Sequence, residues 1–157
     1  MRSPRKQFTL RTLWPIALIG VALSSGSSIL ASAPSDAEST LRMTGSFALG
    51  GVGVAGTMSE GERALRELLK QSDAVARLES LLPQASAAGQ LYALLGLRVR
   101  DRGAYQPALA RFGQRDAKVQ TMRGCILQQE SFQSLVKEIE HGDYDLFLSR
   151  TWPERAN

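Results

Sequence analysis

Apolar positions recur at helical spacing through most of the chain after residue 59. Ser59 and Glu62 stand three apart, the spacing of a capping box, in which each side chain satisfies the other's exposed backbone N–H. A helix that starts there puts Ala64, Leu65, Leu68 and Leu69 on one face. Asp73 is expected to cap the next helix, where Val75, Leu78 and Leu81 recur every three residues before Pro83 ends it. Joined around Gln71-Ser72, the two form an αα-hairpin. A third helix, Ser86 to Arg98, carries Leu91, Tyr92, Leu94, Leu95 and Leu97 with little polar relief, the mark of a buried central helix. Asp101-Arg102-Gly103 breaks the chain. Tyr105, Ala108, Leu109 and Phe112 then follow the i, i+3, i+4, i+7 pattern, and Pro107 is tolerable there only in a first turn.

The period changes between Lys118 and Gln129. Val119, Thr121, Cys125, Ile126 and Leu127 are strand-like around a tight turn at Arg123-Gly124, which predicts a short β-hairpin, although the same residues could continue a helix. Ser131 caps a last helix with Phe132, Leu135, Val136 and Ile139 on one face, and Gly142 ends it. Tyr144, Leu146 and Phe147 are expected to fold back on the core, with Trp152 tethering a polar tail over 151–157. Upstream, Gly45, Gly50, Gly51, Gly53 and Gly56 lie among apolar residues. Each would cost a helix interior about 1 kcal/mol relative to Ala, so a bent strand or an apolar loop is expected. Residues 34–42 are small and polar and read as a disordered linker. The expected architecture is mainly α: short antiparallel helical hairpins with a small β-hairpin, in one domain over 43–150.

Residues 1–33 have a different character. Arg2, Arg5, Lys6 and Arg11 precede an apolar run from Leu13 to Leu23, and Ser24 to Ala33 is almost all small residues. That is the layout of a signal peptide, and the run is shorter than the about 20 residues of a membrane span. Cleavage after Ala33 would leave Pro34 in a poor first position, whereas cleavage after Ala31 is acceptable. An uncleaved signal would leave a weak membrane anchor. No cysteine lies near the boundary to carry a lipoprotein anchor.

Removing this segment changes the charge. The chain has 19 basic and 15 acidic residues, but four of the basic ones and none of the acidic ones precede residue 34. The remainder is neutral. Nucleic acid is therefore not expected as a partner, since phosphate neutralisation needs a basic stripe. The expected location is periplasmic or extracellular. With about 120 mature residues, a single domain with a modest core is expected. Cys125 is the only cysteine, so no internal disulfide can form, and a buried thiol is expected over an intermolecular bridge.

Few motifs carry chemistry. Gly51-Val-Gly-Val-Ala-Gly56 matches GxGxxG, but the helix cap arrives only at Ser59, no second parallel strand is evident, and no acidic residue ends a later strand. It reads as a structural loop. Cys125 with His141, the only histidine, could form a nucleophile pair, but no nucleophile motif surrounds them. His141 more simply complements a helix C-terminus when protonated. Glu138, Glu140, His141, Asp143 and Asp145 cluster locally without the spacing of a calcium loop. Glu60, Glu62 and Glu67 read as helix-start charges on a solvated face. No catalytic, cofactor-binding or metal-binding residue is expected, and no cofactor.

Gly89-Gln-Leu-Tyr-Ala-Leu-Leu-Gly-Leu97 and the helices around it resemble HEAT-type helical repeats over Ser59 to Phe112, without a third clean hairpin. Ser59-Glu-Gly-Glu62, Gly89 to Leu97 and Thr121-Met-Arg-Gly-Cys125 are similar to segments of uncharacterised exported bacterial proteins, a likeness that brings no activity with it. The HEAT resemblance implies a binding surface. The expected function is an exported, non-catalytic interaction module. It would bind a protein partner through a helical face or an apolar surface near Phe47 and Met58. The alternative is a thiol-dependent enzyme or redox protein centred on Cys125. A peripheral membrane protein follows only if the signal segment is retained.

Overall fold

The computed structural model describes residues 35–149. The expected signal peptide, its expected cleavage site and the tail with Trp152 lie outside them. In chain order the described residues form α1 (Asp36–Met43), β1 (Ser46–Phe47), β2 (Gly51–Val52), β3 (Thr57–Met58), α2 (Glu60–Leu69), α3 (Ala74–Leu81), α4 (Ala87–Arg100), α5 (Arg102–Phe112), β4 (Lys118–Arg123), β5 (Ile126–Ser131), α6 (Phe132–His141) and α7 (Asp145–Ser149). Helices hold 57% of the described residues, so the chain is mainly α with two small sheets. Among these residues no helix is long and apolar enough to cross a membrane.

Serines set four of the helix starts. Ser35, Ser59, Ser86 and Ser131 each accept a hydrogen bond from the N–H three residues on, which satisfies a donor the helix itself cannot. Gly142 closes α6 in the left-handed conformation, φ +92°. α4 is the hub. Every residue from Ala88 to Leu97 is buried, and the helix packs against α1, α2, α3, α5, α6, β1 and β4. Gly89 allows the closest of these approaches, since a methyl there would collide with the carbonyl oxygen of Leu41.

Three local expectations are corrected. Residues 34–42 are not a linker. Ser35 caps α1, whose Leu41 is fully buried and whose Ala37 joins the core, and Glu38 accepts a 2.7 Å bond from Arg77 on α3. A single apolar stripe inside a polar sequence was sufficient to dock it. Asp73 does not cap α3, because its carboxylate is taken by Arg77 one turn on, at 2.8 Å. Pro107 is sixth in α5 and not in its first turn, because the Asp101 carboxylate accepts from the N–H groups of Gly103 and Ala104 and starts the helix early. The carbonyl that loses its partner belongs to the exposed Gly103.

The expected β-hairpin is present, with its turn one residue later at Gly124-Cys125. β4 and β5 pair antiparallel from Lys118↔Ser131 to Arg123↔Ile126. β1 adds to β4 in parallel through Ser46↔Gln120 and Phe47↔Thr121, giving the order β1-β4-β5. Phe47 is core and not surface: its ring packs 4.8 Å from Tyr92 and edge-on to Tyr144 at 5.1 Å. Tyr144 folds in as expected, while Leu146 faces solvent at 71% exposure because α7 turns Phe147 inward against Gly50.

Candidate interaction surface

A buried polar network positions the glycine-rich segment. The Tyr92 hydroxyl donates to the Ala48 carbonyl at 2.8 Å and accepts from the Ala48 N–H at 2.9 Å, and Ser59 donates to the same carbonyl at 2.7 Å. Glu62, fully buried, accepts from the Gly50 N–H at 2.8 Å and from Arg66 at 2.9 and 2.7 Å. The capping box at Ser59 is therefore half-formed, and Glu62 is a structural anion and not a solvated charge. Arg66 also donates to the carbonyls of Phe147 and Leu148, which fastens α7. Burial pushes the Tyr92 hydroxyl above its ordinary value.

These bonds draw Ala48–Gly50 away from β4, so β1 stays paired for only two residues. The gap is a groove of about 180 Å³, floored by Tyr144 and Phe147 and walled by Gly50 and Met122. Beyond it, Gly51–Met58 forms a second hairpin: β2 pairs antiparallel with β3, and Gly53 and Gly56 take the positive φ that its turn requires. The GxGxxG motif thus closes a hairpin and does not lead a strand into a helix. The Gly53 N–H donates to the Gly124 carbonyl at 2.9 Å and ties the two hairpin turns together. Their joint tip is apolar, with Val54 at 99%, Ile126 at 61% and Leu127 at 55% exposure.

A second polar network braces the hairpin from below. Arg123 bonds Glu130 at 3.2 Å and Glu138 on α6 at 2.7 Å, Thr121 donates to Glu130 at 2.6 Å, and Tyr144 donates to Glu138. Burial raises the Glu130 carboxyl, but the Thr121 hydroxyl and the Arg123 guanidinium outweigh it and leave the net value lowered. Bonds to Glu130 and then Glu138 raise Arg123, and burial together with Glu138 raises Tyr144.

The free edge is β5. A two-residue turn makes Arg123↔Ile126 a hydrogen-bonded pair, so pairing alternates from there along the ladder. Leu127 and Gln129 consequently turn their N–H and C=O groups away from β4. Nothing among the described residues pairs with them, since β5 ends the sheet order and its side chains are exposed on both faces except at Glu130. Natural edges are blunted by lysine, proline, a bulge or brevity. β5 has six residues, Ile-Leu-Gln-Gln-Glu-Ser, without lysine, proline or a bulge, and its one charge, Glu130, is held by Thr121 and Arg123 on β4.

The sequence-predicted candidates are dispersed. Cys125 is exposed in the turn, not buried, because the two-residue loop projects it past the sheet while its apolar neighbours start β5. His141 is exposed at the carboxyl end of α6. The Arg123–Glu138 pair brings that end toward the hairpin turn, but among the described residues no hydrogen bond joins His141 to Cys125. The acidic cluster is divided, with Glu138 on Arg123 and Asp145 on Arg98. Among the described residues no three His, Cys, Asp or Glu side chains are grouped to hold a metal ion. Glu60 and Glu67 are exposed. Sequence reasoning missed the β5 edge. Its signal was Ile126 beside Leu127, since adjacent strand residues face opposite sides and both cannot reach one core.

Comparison with protein-family models, curated proteins and solved structures finds no match.

Proposed function

We propose that this chain is an exported, non-catalytic protein-interaction module that takes an extended polypeptide strand onto the free edge of β5. The observation that carries the reading is that edge: Leu127 and Gln129 turn their N–H and C=O groups outward, and Ile126 and Leu127 expose their side chains beside it. Strand addition draws affinity from main-chain bonds and specificity from alternating side chains. In this reading the helical hairpins, α2–α3 and α4–α5, are a HEAT-like scaffold that holds the edge in place, and α6 braces it through Glu138. The groove beside Gly50 is too small to serve as a separate peptide site. A neutral mature charge favours protein over nucleic acid as the partner.

A photo-crosslinking side chain at Gln129, in protein expressed in its own cells, tests the reading. Adducts to protein at Gln129 and none from Glu79, exposed on α3, are expected. Absence of any adduct at Gln129 or Leu127 would count decisively against it. The exposure of Cys125 favours one alternative, a thiol-dependent role. Cys125→Ser separates the two, because it leaves strand addition intact and abolishes thiol chemistry.

A further inference from the structure

We propose, resting on the strand-addition reading, that the strand taken up by β5 is β5 of a second copy of this chain, paired antiparallel about a two-fold axis at Gln128. The edge is self-complementary about that residue. The outward-facing Leu127 and Gln129 flank Gln128 symmetrically, so an antiparallel copy sets Leu127 against the second copy's Gln129 and Gln129 against its Leu127. Each such pair exchanges two backbone bonds. The register shifted by one residue would bring outward-facing groups opposite inward-facing ones and form none of them.

Side chains agree with the same register. On the face away from the helices, Met122 stands opposite Leu127 within one copy. The two-fold places the second copy's Leu127 on the diagonal, where long apolar side chains still touch, and its Met122 beyond, making one apolar stripe across both sheets. On the other face Gln128 meets its own equivalent, and a primary amide both donates and accepts. Ile126 lies opposite the second copy's Glu130. Glu130 is the only charged residue of β5, and its carboxylate is already held by Thr121 and Arg123. No unpaired like charges therefore meet across the axis.

Closure favours a second copy over a foreign strand. Among the described residues each molecule has one long uncovered edge in this sheet, while the opposite edge, β1, is two residues long. A two-fold contact covers both long edges at once and leaves none to propagate, which is the usual closed form of a homodimer.

The test uses the protein as cells accumulate it from the full chain, carrying Cys125→Ser so that no disulfide intervenes, with mass read by light scattering over a concentration series. A doubled mass is expected. Gln129→Pro should restore the single mass with an unchanged far-ultraviolet spectrum, because it removes an N–H that points away from β4. Leu127→Lys should also reduce the doubled mass and leaves the backbone intact, so it decides the matter if the proline variant unfolds. Gln128→Cys should cross-link to itself on mild oxidation, while Gln120→Cys, on β4, should not. A doubled mass that survives both edge substitutions, or a Gln128→Cys variant that stays uncross-linked, overturns the proposal. A single mass at every concentration overturns it too. If adducts to a different protein still form at Gln129, strand addition stands and only the second copy is rejected; without them both fall.

Discussion

Glu62 shows how one residue can exchange an expected role for another. Its backbone N–H serves the Ser59 cap at 3.1 Å, while its carboxylate leaves the helix start to bind Gly50 and Arg66. Breaking a buried ion pair from one side is strongly destabilising, and here it also takes the acceptor from the Gly50 N–H, so Glu62→Ala should lower unfolding free energy by about 3 kcal/mol in urea titration. A solvated helix-start charge would cost only a few tenths. Tyr105 is the converse case. Its hydroxyl is buried with no hydrogen-bond partner among the described residues, and burial and then Glu140 push it up to about 12. Tyr105→Phe removes an unsatisfied polar group and should leave stability unchanged or raise it by about 1 kcal/mol, read as an increased Tm. Cys125, exposed in its turn, should react with a maleimide as fast in the native protein as in the denatured one. Slow native labelling would place it back in a core.

Among the elements, α4 and β5 are opposites. α4 is apolar all round and surrounded, so its position follows from its composition. Its contact with α1 depends on Gly89. Alanine is the better helix former by about 1 kcal/mol, yet Gly89→Ala should destabilise by about 3 kcal/mol, because the added methyl meets backbone that cannot move aside. A rise in Tm would refute the close approach. β5 has no such enclosure. Its register on β4 is set by a turn with Gly124 at φ +60°, and among the described residues its outer edge is unpaired. The helical periods, the Ser59 and Ser131 caps and the hairpin were all legible in sequence, since each is encoded within a few residues. The docking of α1 was not, because its stripe is short and its partners Arg77 and Gly89 are distant in the chain.

At the scale of the whole molecule, the tyrosines mark three separate regions of the interior. Tyr92 lies at the glycine-rich segment, Tyr105 on α5 and Tyr144 ahead of α7; these are all three in the sequence. Each is buried and each has a raised pKa. A raised folded-state pKa contributes stability in full below the unfolded value of about 10 and loses it as pH rises through the folded value. The three should therefore resist ionisation past pH 10 and then titrate together, with loss of helical circular dichroism in the same narrow interval. A tyrosine that ionises separately near 10 would show that its region opens independently. Glu130, with its lowered pKa, acts at the other limit. Its contribution is present above the unfolded carboxyl value and lost as pH falls through the folded one, so acid should loosen the hairpin.

By itself the sequence determined the helices between Ser59 and Gly142, the burial of α4 and the existence of the hairpin, because period and caps are local properties. Only the tertiary structure decided that residues 36–43 join the core, that Glu62 is buried, that Phe47 is inside and that Cys125 and β5 are outside. The physical reason is distance along the chain. Gly50 meets Glu62 across 12 residues, Ala48 meets Tyr92 across 44, and Arg66 meets Leu148 across 82. A strand's own pattern states which faces are apolar; whether a neighbour covers its edge is settled by what the rest of the chain places beside it.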